Sequence, residues 1–493
     1  MIVLSDLSRD LLIWLAAYVV LLLVIGAFGR RAKKTHSFSD HFLAGRALGF
    51  PVLILTLFAT QYSGNSLSAF PGQTYRQGLV YIMSVTFMVG IVSGYMLFAP
   101  TLFARARERG YITPNDFLMD RFNSRPLHYL AASVFCLTLV NYMLAQLMAL
   151  GHAAAGLTGG DIPYAAAVVG GAAVILVYEL MGGMRAVAWT DALQGIVLAV
   201  GLAVVVAMLV AQVGTPPEII KQLSILAPEK VASPDLRTCM VWISTFVLLA
   251  LGGPLYPQAI QRIFAAKRLA SLKRALAVMA VLPLGAVTAV IFIGAVGIIL
   301  EPGLDRLGSD RITFLVLGDL VARNPQAYIP ALVVMLAVIA AIMSTADSCL
   351  LSLSSIITKD FGGAFQSGEP ELRLKWAPWI SLTVMVVLCL IALSPVTTLW
   401  GLLVLKFEIL IQLSPAFVLG TLHTSNEPEA YSAADILRGL IFGLSLVLLL
   451  ALGGHRNIFG IHSGSIAVAA NYAIAYGSRA WRLRTSSAHH TTA

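Results

Sequence analysis

Between Tyr328 and Lys359 the chain is as apolar as a membrane span, yet its middle reads Ala341-Ile342-Met343-Ser344-Thr345-Ala346-Asp347-Ser348. Lipid solvates neither a hydroxyl nor a carboxylate, so an ionisable side chain at that depth marks a candidate functional site. Hydroxyl, carboxylate and carbonyl oxygens are the ligands that small hard cations take, and residues three or four apart share a helix face. Ser and Thr that only bond back to carbonyls of their own helix would soften it and do no more. Asp347 is what argues for chemistry.

The other half of such a site is sought where a second apolar run is interrupted. Gln61-Tyr62-Ser63-Gly64-Asn65-Ser66, followed by Pro71-Gly72, stands where a lipid-facing helix would be apolar. Unwinding a helix there frees carbonyls that need partners, and a sodium ion is a suitable one. The carbonyls of Ala59, Tyr62 and Ala341 with the hydroxyls of Ser344 and Thr345 give a neutral five-oxygen cage. Gln61, Ser63, Gly64, Asn65 and Ser66 lie beside it, ready for an organic solute. A further interruption, Gly252-Gly253-Pro254-Leu255-Tyr256-Pro257, adds Gly253 and Tyr256.

The elements that must position these groups follow from composition. The 493 residues are 58% hydrophobic and 12% charged, with mean hydropathy +0.84, which specifies an all-α polytopic membrane protein lying in a lipid bilayer. About 20 apolar residues make one spanning helix, and on that rule about thirteen spans are expected. They lie near 11–29, 48–73, 79–103, 128–157, 162–182, 191–213, 238–258, 274–300, 328–358, 376–394, 398–421, 433–453 and 459–477. The loops 214–237 and 301–327 carry short interfacial helices, at Ile219 to Leu223 and Ile312 to Val321.

Lys and Arg crowd the segments 30–46, 105–125, 262–274 and 359–375 and are sparse on the other side, which sets the N-terminus outside and the C-terminus in the cytoplasm. The net charge of +9 is thus explained by cytoplasmic loops, and no nucleic-acid partner is expected. The four cysteines are scattered with no ligand-like spacing. No HExxH, GxSxG or phosphate-binding loop occurs, so the chain is not read as an enzyme.

Two broken spans at corresponding places in two halves are the pattern of a transporter with inverted repeats that binds solute at the midplane. The repeats are expected over about 48–213 and 238–421, with 11–29, 433–453 and 459–477 peripheral, all in one transmembrane domain. Of the remaining charges at membrane depth, Glu179 is expected to pair with Arg185. Lys406 and Glu408 face different sides of their helix; Lys406 either meets Asp347 or a solute carboxylate, or snorkels to the interface.

The chain resembles the sodium:solute symporter family. The resemblance covers nearly its whole length and rests on Ala59 to Gly72, Thr113-Pro114-Asn115-Asp116-Phe117, Gly182-Gly183-Met184-Arg185-Ala186-Val187-Ala188-Trp189-Thr190-Asp191-Ala192-Leu193-Gln194-Gly195, Gln261-Arg262, and Ala341 with Ser344-Thr345. It implies a leucine-transporter-type five-plus-five inverted repeat and Na+ as coupling ion, with the family's sodium site at Ala59, Tyr62, Ala341, Ser344 and Thr345. For a second cation it points to Asp191, Ser344 and Ser348. Asp347 departs from the family pattern, and with Asp191 and Ser348 forms a possible second cation or proton site. The function expected is sodium-coupled import of a small organic solute, an organic acid or amino acid, across the plasma (bacterial inner) membrane. The alternatives are proton coupling on the same fold, or a transporter-like sensor.

Overall fold

The computed structural model describes residues 2–32, 35, 37–158, 160–362, 374–394, 399–422 and 430–490, and for 2–8, Asn65, 156–157 and 486–490 the backbone alone. Among the described residues ten helices are long and apolar enough to cross a membrane, and a shorter apolar helix, Phe50–Gln61, leads into the first interruption. The segments used below are α1 (Ile2–Arg31), α2 (Phe50–Gln61), α3 (Phe70–Gln77), α4 (Phe87–Arg109), α5 (Arg125–Leu157) and α6 (Tyr164–Gln212). They continue with α7 (Leu236–Gly252), α8 (Pro257–Ala265), α9 (Leu269–Leu300), α10 (Tyr328–Ile356), α11 (Ala377–Ala392), α12 (Leu399–Leu410), α13 (Ser414–Leu422), α14 (Ala433–Leu452) and α15 (Ser463–His490). The two loop helices are present, as Pro216–Leu226 and Ile312–Arg323.

Both interruptions anticipated from Gly, Pro and polar residues are real breaks. Helix α2 ends as Tyr62 turns to an extended conformation, a π-type turn follows at Asn65–Ala69, and α3 resumes the path. Helix α7 ends at Gly252, and a single tight turn, Gly253–Leu255, hands over to α8. Helix α6 spans two of the expected segments. Its continuity is broken at Gly183 (φ 57, ψ −152), a conformation open to glycine and strained for any residue with a Cβ.

Burial ranks the helices. In α10 the residues from Val338 through Ile356 are all buried, and 78% of its span is covered, against 22% for α1 and for α11. Helix α10 lies chiefly against α6 and α5, while α14 and α15 pair with each other. A helix apolar on all sides belongs in the interior, so the polar cluster of α10 sits at the centre of the molecule. A short antiparallel hairpin, Asn457–Ile458 with Ile461–His462, precedes α15.

One expected pair is overturned. Arg185 donates to Asp40 at 2.9 Å, to the Ala44 carbonyl at 3.1 Å and to the Ala32 carbonyl, not to Glu179. The turn at Gly183 swings Arg185 away from the preceding helical turn and onto the segment before α2. The Glu179 Oε2 atom is buried without a partner among the described residues.

The motif at 113–116 acts at the same end of the bundle. Asp116 accepts from the backbone N–H groups of Ile112 (2.6 Å) and Thr113 (3.0 Å), closing a capping box at the start of helix Pro114–Phe122. Thr113 and Asn115 each donate to Asp360 at 2.9 Å, just beyond α10.

Candidate functional site

Four of the five oxygens expected to form a cage are brought together. The Ser344 hydroxyl lies 3.0 Å from the Ala59 carbonyl and 3.1 Å from the Ala341 carbonyl, and the Thr345 hydroxyl lies 3.2 Å from the Ala341 carbonyl. All are buried. The Tyr62 carbonyl makes no such contact among the described residues; the Tyr62 hydroxyl donates to the Pro283 carbonyl of α9 at 3.0 Å. Carbonyls and hydroxyls converging without a fixed charge can hold a monovalent cation.

The break is pressed against its neighbours. A Cβ on Gly64 would stand 2.5 Å from Ile342 Cγ1 and 2.9 Å from Ala149 Cβ, so only glycine admits this approach. The Gly64 N–H donates to Gln146 Oε1 at 3.0 Å, and the Ser66 N–H to the Ser63 carbonyl at 2.9 Å. Backbone groups released by the unwinding are thereby satisfied.

A second buried cluster surrounds Arg262 of α8. Its Nη2 donates to Asp191 Oδ2 at 2.6 Å and to Ser348 Oγ at 2.6 Å, its Nε to Thr56 Oγ1 at 2.7 Å and its Nη1 to the Gln258 carbonyl at 2.9 Å. Thr56 in turn donates to Asp191. One guanidinium therefore ties α8 to α2, α6 and α10, using the fork geometry that lysine lacks. Asp347 is oriented by Tyr178, whose hydroxyl donates to Oδ2 at 2.8 Å, and by Ser348, which donates to Oδ1 at 3.2 Å. Asp191, Asp347 and Ser348 are thus brought together, with Arg262 among them.

Beside the first break lies a cavity lined by Gln61, Tyr62, Ser63, Ser66, Tyr142, Tyr256 and apolar side chains including Phe70, Phe87, Leu249 and Phe407. Its apolar walls with a few polar groups have the chemistry of a site for a small organic molecule. Gly64 and Gly253 do not line it. A Cβ on Gly253 would meet Ile91 Cγ1 at 2.7 Å, so that glycine makes room for a wall residue. Of Asn65 only the backbone is described.

Gln146, Tyr142, Thr56 and Tyr178 join the site without having been expected there, and Arg262 does more than its place in a motif indicates. Gln146 had a visible signal, an amide inside an otherwise apolar span. Lys406 neither snorkels nor meets Asp347. It is 1% exposed, and its ammonium lies 3.1 Å from the ring centroid of Tyr142, 4.6 Å from Tyr256 and 4.9 Å from Phe407.

The cavity is closed on the α3 side by Phe70, which meets Tyr81 and Trp400 edge-on at 5.7 and 6.1 Å between centroids. Beyond these rings Arg76 pairs with Asp310 at 3.1 Å, and Asp310 accepts from the Leu399 N–H at 3.0 Å. Burial of Asp310 pushes its carboxyl above the usual 3.8, an effect that Arg76 opposes.

Comparison with known proteins agrees with this architecture. Residues 41–424 match the model of the sodium:solute symporter family. The sodium/pantothenate symporter of Escherichia coli is 28% identical over 360 residues, 71% of this chain and 72% of that protein. The sodium/proline symporter of Salmonella typhimurium is 27% identical over 405 residues, 78% and 77% respectively. Among solved structures, a substrate-bound, outward-open Na+-coupled sialic acid symporter superposes with a TM-score of 0.75 at 18% identity, covering 96% of this chain and 97% of that one. A nucleobase-cation-symport-1 family transporter in a closed conformation gives 0.56 at 16% identity over 91% and 96%. These likenesses establish the leucine-transporter fold. With two broken helices around a polar centre and a family match over most of its length, the chain belongs to the sodium:solute symporter family, and is a multi-pass membrane transporter coupled to Na+, not an enzyme.

Proposed function

We propose that the chain imports a small organic acid or amino acid with sodium by alternating access. Sodium is held by the carbonyls of Ala59, Tyr62 and Ala341 and the hydroxyls of Ser344 and Thr345. The observation that carries this reading is the 3.0 Å contact of Ser344 with the Ala59 carbonyl across the break. When sodium enters, these hydroxyls turn their protons away and present lone pairs, and the ion fastens α2 to α10. Ser63 and Ser66, immediately beyond the break, are thereby fixed in the cavity wall. Binding energy from the ion is spent on ordering the solute site, so each ligand tightens the other by the same factor.

Both relatives named above are named for solutes that carry a carboxylate, which supports an acid or amino acid. The repeats run over about 48–213 and 238–421, and the N-terminus lies outside the plasma (bacterial inner) membrane with the C-terminus in the cytoplasm, as the Lys and Arg distribution favours. Asp191, Asp347 and Ser348 are a second site for a cation or proton. Its distinguishing observation is that Arg262 already neutralises Asp191, whereas Asp347 is held by two hydroxyls. Uptake by reconstituted vesicles at fixed pH, with sodium replaced by N-methylglucamine, tests the coupling. Uptake is expected only with sodium, and equal uptake without it would favour the proton.

A further inference from the structure

Lys406 stands out among the buried charges. Its ammonium makes no hydrogen bond among the described residues, it is 1% exposed, and three aromatic faces surround it. An amine held at membrane depth with only ring faces for company is costly and marks a site that something else completes. The three rings, of Tyr142, Tyr256 and Phe407, all line the solute cavity. They form one stack, with Tyr142 and Tyr256 5.3 Å apart and nearly parallel, and Tyr256 and Phe407 also 5.3 Å apart. Leu403 and Phe407, on the same turns of α12, line the cavity as well. Glu408, two positions on, is turned to the other side and accepts from Ser463 at 2.8 Å, so it is not the counter-charge.

Charge and shape together restrict the solute. No carboxylate lines the cavity among the described residues, so a solute ammonium would find no anion there. Aromatic cages bind quaternary ammonium groups, but this cage already holds the protein's own ammonium. A carboxylate is the complement that Lys406 lacks, and the surrounding wall offers Phe70, Phe87 and Leu249 to an apolar tail. Resting on the symport reading above, we infer that Lys406 is the specificity-determining residue of the solute site, and that the solute is a small monocarboxylate without an amino group. Lys406 itself stands behind these rings and does not line the cavity, so on binding the rings part and the carboxylate pairs with the ammonium in a charge-assisted hydrogen bond.

The test is thermal stabilisation of the purified full-length chain by pyruvate, butyrate and hexanoate, each against its amide, and by proline and choline, with and without sodium. In the natural sequence the acids are expected to stabilise and the amides, proline and choline to give no shift. Lys406→Met is expected to keep the shift caused by sodium alone while weakening the acids on the order of 30-fold or more, as loss of a buried charged partner does. Lys406→Arg is expected to retain part of the acid response. Amides, proline or choline matching the acids, no response to any acid, or undiminished acid binding in Lys406→Met would each overturn the inference. If Lys406→Met does not fold, the comparison of acid with amide in the natural sequence still decides. A response to acids without any response to sodium would sink the sodium reading and leave the role of Lys406 standing.

Discussion

The Ser344 hydroxyl reaches the Ala59 carbonyl across 3.0 Å, joining the most buried of the ten long spans to the last turn of a broken helix. Helix ends in a membrane leave carbonyls that nothing in lipid can satisfy. Here a side chain from α10 occupies one of them, in a position that an ion can take over. Coupling between α2 and α10 depends on this contact and on the close approach that permits it.

That approach depends on Gly64. Gly64→Ala places a methyl 2.5 Å from Ile342 Cγ1, and overpacking of this kind costs ~1–3 kcal/mol. The variant is expected to melt lower and to respond less to sodium. Combining it with Ile342→Ala should cost less than the sum of the two single changes, because the second makes room for the first. Strict additivity in a melting series would refute the contact.

Arg262 and Asp191 form a pair with both side chains fully buried. Removing one partner of such a pair leaves a charge without compensation and costs ~3–5 kcal/mol. Arg262→Ala is expected to lose most folded protein in a size-exclusion profile. Asp191→Asn in the same chain should recover part of it by deleting the stranded carboxylate. Arg262→Lys should fall between, since an ammonium cannot reach Thr56, Asp191, Ser348 and the Gln258 carbonyl together.

Asp310 predicts an unusual response to acid. Its carboxyl is raised above 3.8, chiefly by burial, with Arg76 and the Leu399 N–H opposing and His152 nearby. The folded chain therefore holds this proton more tightly than the unfolded chain. The stability this group contributes is fully present below its unfolded value and is lost as pH rises through its folded value. The melting temperature of the natural sequence minus that of Asp310→Asn is expected to grow as pH falls from 7 toward 4. A constant or shrinking difference would contradict the assignment.

Much of the centre was legible in the sequence because lipid makes polar residues conspicuous. Gln61 to Ser66, Gly252 to Pro257 and Ser344-Thr345 each interrupt an apolar run, and each proved to lie at a break or at the buried centre. What escaped were pairings set by the path of the chain. Arg185 was assigned to Glu179 by nearness in sequence, but the backbone turn at Gly183 sends it to Asp40. Arg262 and Asp191 are 71 positions apart, and only the fold brings them together. Lys406 was visible as a charge in a span, yet its cage is built from residues on α5 and at the second break, which no local pattern connects.

Sodium binding itself tests the central claim most directly. Equilibrium binding of 22Na+ to the purified chain should show a saturable site. Ser344→Ala and Thr345→Ala should each weaken it by roughly tenfold or more, about 1.4 kcal/mol, while melting within a few degrees of the natural sequence. Saturable binding of unchanged affinity in both variants would show that the ion sits elsewhere.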